Sequence, residues 1–500
     1  MQIDYTSQAQ YFWVMLPEIV LSVFAMIILL VDVFQRGDRE EPSSPMIPVL
    51  TVVGLVAAAI ANWWLLGLHE TGTAGMMALD SYRVFSNFLF LAAGAFFVMI
   101  SNRYIDEEHL RLGELYVLVL FSIVGMMVFA GSRDLMVIFI GLELMSVPVY
   151  VLTGINRRSM QSAEGALKYF LLGAFSSAFF LFGIALIYGG AGTTNLALIA
   201  GAIDTGTTTA GRLIPVGIAF LAVGFGFKVA AVPFHMWTPD AYEGAPIPVT
   251  AFMATAVKAA GFAAFLRVFL TGFGGMYGTW DTIAIVLAIM TMVGANLTAL
   301  VEGNVKRMLA FSSIAHAGYL LVALAAGNTL GAAAFLFYLV VYTLMTVGSF
   351  AVVMVVAGRG ERRLDLGSYS GLAWQHPFLG VVMTVFLLSL AGFPLTGGFI
   401  GKVFILRAAL DRGLVLLSVA LVLASLLSYY YYLRVAWYMW FREPEVDGRT
   451  PLTLTPALKW ALVLATAGIV ALGVLPGILL DAAQDGATGL MQESATTVSR

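Results

Sequence analysis

An all-α polytopic membrane protein is the fold class this sequence predicts, with about 14 transmembrane helices and two inverted five-helix repeats, each containing a broken helix. Three observations predict it. Of the 500 residues 60% are hydrophobic and 11% charged, with a mean hydropathy of +0.92, whereas soluble domains carry roughly 25% charged residues. Apolar runs of about 20 residues, enough to cross a ~30 Å hydrocarbon core, recur along the whole chain. Two of these runs are interrupted, at Pro233 and at Pro394, and each carries a lysine near its interruption.

The same composition excludes several classes. A net charge of −3 gives no reason to expect a nucleic-acid partner. The absence of cysteine removes disulfides, iron–sulfur clusters and thiolate metal sites. His69, His109, His235, His316 and His376 have no metal-ligand spacing, and no Walker A or dinucleotide sequence is present. No cofactor and no metal are expected in this chain.

In chain order, residues 1–113 form an N-terminal three-helix segment with runs at 11–34, 46–68 and 83–101. The first ten residues carry no Lys or Arg and the first run has full spanning length, so a cleavable signal is not expected. Residues 114–271 hold a first set of five runs, at 114–131, 134–153, 164–188, 213–232 and 248–270. Residues 280–440 hold a second set, at 281–301, 305–326, 331–357, 376–411 and 413–440. A last run covers 456–480, and 481–500 is a short tail. An odd number of crossings per set turns the second set over relative to the first. In each set the fourth run is the interrupted one. The first reads LAVGFGFKVAAVPFHMWTPDAY (Leu221–Tyr242), an apolar helix with Lys228 at mid-membrane depth, a break at Pro233 and an aromatic amphipathic continuation. The second, LAGFPLTGGFIGK (Leu390–Lys402), belongs to a run too long for one straight crossing and reads as two half-helices broken around Pro394. Paired interruptions in corresponding positions point to a transport site.

Basic residues favour the loops opposite the termini, among them Arg36, Arg39, Arg111, Arg157, Arg158, Lys306, Arg307, Arg359, Arg362, Arg363 and Arg449. That bias predicts both termini outside, on the periplasmic face of a bacterial inner membrane.

A charge facing lipid at mid-membrane costs at least ~2.5–3.5 kcal/mol, so every ionisable residue inside a run needs protein or water around it. Glu143, in GLELMSVPVYVL, lies about nine residues, or ~14 Å, from the outer end of its run. Lys228, in the same set at similar depth, is its expected counter-charge, as a static bridge or as part of a transfer path. Buried pairs stabilise so little that the second reading is preferred. Lys258, in TAFMATAVKAAGFAAFL, sits among Ala and Gly with no carboxylate within a helical turn. Stripped of water, it can exchange a proton near neutral pH; held by backbone carbonyls at a helix break, it would be structural. Lys402 stands past the second break. Lys168 follows Glu164 at i+4, which fits a local bridge as well as a transfer role. His316, in SSIAHAGYLL, is either a satisfied core residue or a proton relay. The Tyr429–Tyr432 run, with Trp437 and Trp440, reads as packing and interfacial belt rather than as a quinone site. Glu143, Lys228, Lys258 and Lys402 in series form a line of ionisable groups across the membrane, the mark of a proton relay. Neither the roomy polar site of a solute carrier nor the carbonyl or charge rings of a channel are visible.

The stretches GLELMSVPVYVL, GFKVAAVPFHMWTPDAYEGAP, TAVKAAGF and EGNVKRMLAFSSIAHAGYLL resemble the antiporter-like membrane subunits of respiratory NADH–quinone oxidoreductase and the related Mrp cation/proton antiporters. The likeness covers nearly the whole chain. It implies that Glu143, Lys228, Lys258 and Lys402 are proton-transfer groups. It further implies that flavin mononucleotide, iron–sulfur centres and NADH reside on other subunits, with quinone as substrate of the complex. Within the family, the short tail sets the chain apart from the L branch, and Lys402 stands where the M branch has a glutamate; the N branch fits best. A subunit of a stand-alone antiporter or of a membrane-bound hydrogenase is the alternative, and from another class a purely structural membrane spacer.

Overall fold

The computed structural model describes residues 2–3, 8–35, 46–70, 75–108, 110, 113–444 and 452–498. Arg36, Arg39, His109, Arg111 and Arg449 lie outside the described residues. The chain is a bundle of long helices. The N-terminal part holds α1 (Leu16–Gln35), α2 (Met46–Trp64) and α3 (Ser81–Glu107). There follow α4 (Gly113–Gly131), α5 (Leu135–Thr153), α6 (Met160–Ala191), α7 (Leu213–Lys228), the short α8 (Trp237–Gly244) and α9 (Ile247–Gly272). Then come α10 (Tyr277–Val301), α11 (Val305–Ala326), α12 (Thr329–Ala357), α13 (Pro377–Ala391), α14 (Gly397–Asp411) and α15 (Val415–Phe441). Finally α16 (Pro456–Val474) and α17 (Gly477–Val498) complete the chain. Among the described residues twelve helices are long and apolar enough to cross a membrane, and the shorter apolar α7 and α13 stand where the interruptions were expected.

Polar residues start the helices. Asp80, Asp134, Ser159, Asn304 and Asn328 each accept a hydrogen bond from a backbone N–H of the first turn of the helix that follows. Left-handed glycines at Gly192 and Gly327 end α6 and α11. Small residues set the closest approaches: a Cβ at Gly141 would lie 2.7 Å from the Phe129 Cα, so α5 runs backbone to backbone against α4. The central turns of α9 and α11 are wholly enclosed by the others, whereas α1, α6 and α16 present most of their surface outward. The two enclosed helices carry Lys258 and His316.

Both interruptions are built by the same device. At the end of α7, Ala231 N–H bonds to Gly226 O (2.7 Å) and Ala230 N–H to Phe227 O (3.1 Å), with Ala230 left-handed at φ 61. At the end of α13, Phe393 N–H bonds to Leu388 O (2.9 Å) and Gly392 N–H to Ser389 O (3.0 Å), with Gly392 at φ 88. These are Schellman terminations, in which a left-handed residue closes the last turn. Backbone groups freed at that depth need other partners, and side chains supply them. Trp237 Nε1–H donates to Phe227 O, Val232 N–H to Thr291 Oγ1, Tyr429 O–H to Gly392 O and Gly398 N–H to Ser389 Oγ. The first helix therefore ends at Lys228, before Pro233 is reached.

One expectation is corrected here. Residues 481–500, read as a tail, lie largely within the helix α17, which packs on α12 and α3. Ala483, Ala487 and Leu490 are its buried face, and that i, i+4, i+7 spacing is the reason it docks.

Candidate functional site

Lys228 closes α7 with its side chain buried. Its Nζ donates to Ser146 Oγ of α5 (2.8 Å) and approaches Tyr169 O–H of α6 (3.5 Å), whose ring stacks on Trp237 at 4.1 Å. Glu143 does not pair with it. The carboxylate lies half-buried at the edge of α5 and accepts from Ser177 Oγ of α6 instead. Ser146, one turn along α5 from Glu143 and on the same side of that helix, is the group that reaches Lys228. Among the described residues no ion pair involves Lys228, Lys258 or Lys402.

Lys258 is buried in α9, directly after a π-helical turn at Met253–Val257. Its Nζ donates to Ser313 Oγ (2.5 Å) and Ser313 O (2.8 Å) of α11, and Tyr342 O–H of α12 donates to the same Ser313 Oγ (2.8 Å). An ammonium bonded to neutral acceptors recovers roughly 1.5–3 kcal/mol per bond, which offsets part of what burial in an apolar core costs it. Lys228 and Lys258 are neighbours through glycine: a Cβ at Gly261, one turn beyond Lys258, would stand 3.1 Å from the Lys228 Cγ. The absent side chain is what lets the Lys228 stem lie against α9.

His316 is buried three residues beyond Ser313 on α11. Its Nδ1 is 2.6 Å from Tyr338 Oη of α12 and its Nε2 3.1 Å from Tyr432 Oη of α15. Tyr432 also hydrogen-bonds Ser312. A neutral imidazole has one donor and one acceptor nitrogen, so one tyrosine donates to the ring and the other accepts from it. A further three residues on, the Tyr319 ring lies under Lys402 Nζ at 4.6 Å. Lys402 donates to the Leu390 and Ala391 carbonyls (3.0 and 2.9 Å), which the second break leaves free. Ser313, His316 and Tyr319 thus stand at i, i+3 and i+6 on one face of α11, rising ~4.5 Å per step. That face joins the Lys258 pocket to the Lys402 pocket.

The two breaks differ in one respect from the repeat seen in the sequence. Lys228 ends the half-helix before its break, whereas Lys402 stands within the half-helix after its break. Lys168 lies outside the buried line. Its ammonium bridges Glu164 (2.7 Å) and Asp240 of α8 (2.6 Å) at the rim. Arg307 of α11 bridges Asp240 (3.2 Å), Glu243 (2.6 Å) and Glu302 (3.3 Å) beside it. Burial pushes the Asp240 carboxyl up, but hydrogen bonds from Lys168 and Arg307 outweigh it and keep the group below its usual range.

The tyrosine run divides between packing and outward-facing positions. Tyr431 and Tyr432 are fully buried, Tyr431 O–H donating to Asn296 Oδ1 (2.9 Å), while Tyr430 faces outward. Tyr432 is a member of the His316 site, not belt. Ser146, Ser313 and Tyr319 were also missed in the sequence. The last two carry a usable signal, since they flank His316 at i−3 and i+3.

Fold and buried lysines together define an antiporter-like membrane subunit, and the chain belongs to the NADH:quinone oxidoreductase/Mrp antiporter family, whose sequence profile matches residues 132–428. NADH-quinone oxidoreductase subunit N of Trichlorobacter lovleyi is 45% identical over 473 residues, spanning 94% of this chain and 96% of that protein. A chain of respiratory complex I from Thermus thermophilus with bound aureothin superposes with a TM-score of 0.78 at 36% identity, covering 93% of this chain and 98% of that one. A chain of the Mrp complex from a Dietzia species reaches a TM-score of 0.81 at 22% identity, covering 96% and 98%, a likeness of fold alone.

Proposed function

We propose that this chain is the N-type proton-translocating membrane subunit of an NADH–quinone oxidoreductase in the inner membrane of a bacterium, with both termini periplasmic. It assembles with the other membrane and peripheral subunits of that complex. Flavin mononucleotide and iron–sulfur clusters belong to those other subunits, quinone is the substrate of the complex, and this chain transfers protons without redox chemistry of its own. Residues 114–271 and 280–440 act as inverted five-helix units, each with a broken helix, set behind the N-terminal segment 1–113.

The carrying observation is the row of buried lysines held by neutral acceptors, Lys228 lying against α9 and Lys258 and Lys402 joined by one face of α11. Lys228 in its charged form repels a charge on Lys258. Two like charges ~8 Å apart at an effective dielectric of ~20 repel by about 2 kcal/mol. That push sends a proton from the Lys258 ammonium to the hydroxyl and imidazole groups along α11, and from there to Lys402 in its neutral amine form. Glu143, at the bundle edge, sets the field on Lys228 from a distance. Lys168 steadies α8 at the rim rather than carrying protons.

Arginine at 258 would keep the charge but could not release its proton. Lys258→Arg is expected to assemble normally and to lose most pumping by this subunit, read as proton uptake per electron pair in reconstituted vesicles. Wild-type stoichiometry in the assembled variant would leave Lys258 a fixed charge. A structural spacer predicts the reverse pattern, with poor assembly and intact coupling.

A further inference from the structure

The corner between α8 and α9, residues Gly244–Pro246, is closed by a pair of side chains from the second five-helix set. The amino end of α9 has no side-chain cap of its own. Glu361, in the loop after α12, supplies one from outside: its Oε1 accepts from the Ile247 N–H (2.9 Å) and from Tyr104 O–H of α3 (2.5 Å). A carboxylate at a helix amino end satisfies an orphan donor and suits the helix dipole. The carbonyl end of α8 is capped in the opposite sense. Lys306, with no side-chain exposure, donates to Glu243 O (2.8 Å) and Ala245 O (2.6 Å), and its third bond goes to Glu361 Oε2 (2.6 Å). One ion pair therefore caps both helices that meet at the corner and ties them to α11, α12 and α3. Glu361 adopts the left-handed backbone, φ 48, after Gly358 and Gly360 at φ 63 and 71. A glutamate rarely takes that conformation unless its surroundings hold it there.

The pin matters for what happens higher in the same two helices. Lys306 and Ser313 lie seven residues apart on α11, ~10 Å along its axis, and Ile247 and Lys258 stand on α9. The α9–α11 register is thus fixed twice, by the pin at the rim and by the Lys258–Ser313 contact in the core. We propose that the Lys306–Glu361 pair is a positioning device for proton transfer, holding α9 at the height at which Lys258 meets Ser313. Tyr104 brings the N-terminal helices into the same carboxylate, so all three parts of the chain share one fixed point. The inference rests on the proton-transfer reading of Lys258.

The test uses the assembled complex in vesicles, with proton uptake per electron pair as readout. Glu361→Gln should assemble and lose at least half of the protons that Lys258→Arg loses, and should add no further loss in the Lys258→Arg background, because both act on one step. A merely structural glutamate would lower the amount of complex and leave the stoichiometry of what assembles unchanged. Wild-type stoichiometry in Glu361→Gln, or an additive loss on top of Lys258→Arg, would overturn the proposal. Should Glu361→Gln not assemble, Tyr104→Phe removes one donor from the carboxylate: a smaller loss of the same kind supports the pin, and wild-type pumping refutes it. If Lys258→Arg itself pumps normally, the reading of Lys258 falls and the pin with it. If only the Glu361 and Tyr104 variants pump normally, the pin alone falls.

Discussion

Single residues divide into those whose role is visible from chemistry and those visible only from packing. A lysine inside an apolar run announces itself, and Lys228, Lys258 and Lys402 are all buried as the sequence led one to expect. Their partners could not be named in advance, because a search for counter-charges stops at a carboxylate and passes over the hydroxyl one turn away. That is why Glu143 was matched to Lys228 and Ser146 was not. The geometry makes a specific statement about coupling. Ser146→Ala and Lys228→Ala touch one contact, so their losses in pumping should combine to little more than the larger one, and Glu143→Gln, acting through the charge of Lys228, should likewise add little to Lys228→Ala. Losses that multiply for Glu143 and Lys228, measured as proton uptake by the singles and the double, would mean that Glu143 does not act through Lys228. Tyr432 gives a second case. Tyr432→Phe keeps the ring and removes the hydroxyl between His316 and Ser312. Interhelical hydrogen bonds in membranes average about 0.6 kcal/mol, so assembly should survive while proton uptake falls several-fold. Unchanged uptake would return Tyr432 to the packing role first given to it.

At the scale of elements, prolines mark the neighbourhood of a break and glycines or strained residues mark its place. Pro233 lies five residues beyond the end of α7, and the chain has already turned at Ala230. Gly392 does the same work at the second break, and there a Cβ would also come within 3.0 Å of the Lys402 Cδ. Gly392→Ala should therefore destabilise the protein by ~1–2 kcal/mol, the penalty of a left-handed L-residue, with the Lys402 chain displaced in addition. Thermal unfolding of the purified protein checks this; an unchanged midpoint would mean that the turn relaxes out of the left-handed region. The docking of α17 was legible in its spacing of Ala483, Ala487 and Leu490, but three small or medium residues in a polar stretch fall below any length criterion for a membrane helix.

At the scale of the molecule, the fold class followed from composition and from run length, because lipid permits a chain with this pattern little besides helices. Orientation rests instead on the bias of basic residues between the loops of the two faces. The cysteine-free sequence gives a clean assay. Thr207, exposed between α6 and α7, should be outside, and Gln375, exposed between α12 and α13, should be inside. In right-side-out vesicles an impermeant thiol reagent is expected to label a cysteine at 207 and spare one at 375; the opposite pattern reverses the topology and the direction of transport with it.

The π-helical turn ahead of Lys258 has a genetic consequence. Such a turn is an α-helix holding one residue more than its neighbours need, here within Met253–Val257. Loss of a single codon from that stretch would leave hydropathy and composition almost untouched. It would let the helix run regularly, and the turns beyond would keep their orientation to Ile247, because the wide turn is what absorbs the extra residue; the same loss from a regular turn would rotate them by ~100°. Lys258 would stay facing Ser313 while the rim stayed anchored. A one-residue deletion should therefore be borne more readily at Met253–Val257 than in the regular turns of this helix, where it would carry every later side chain to another face.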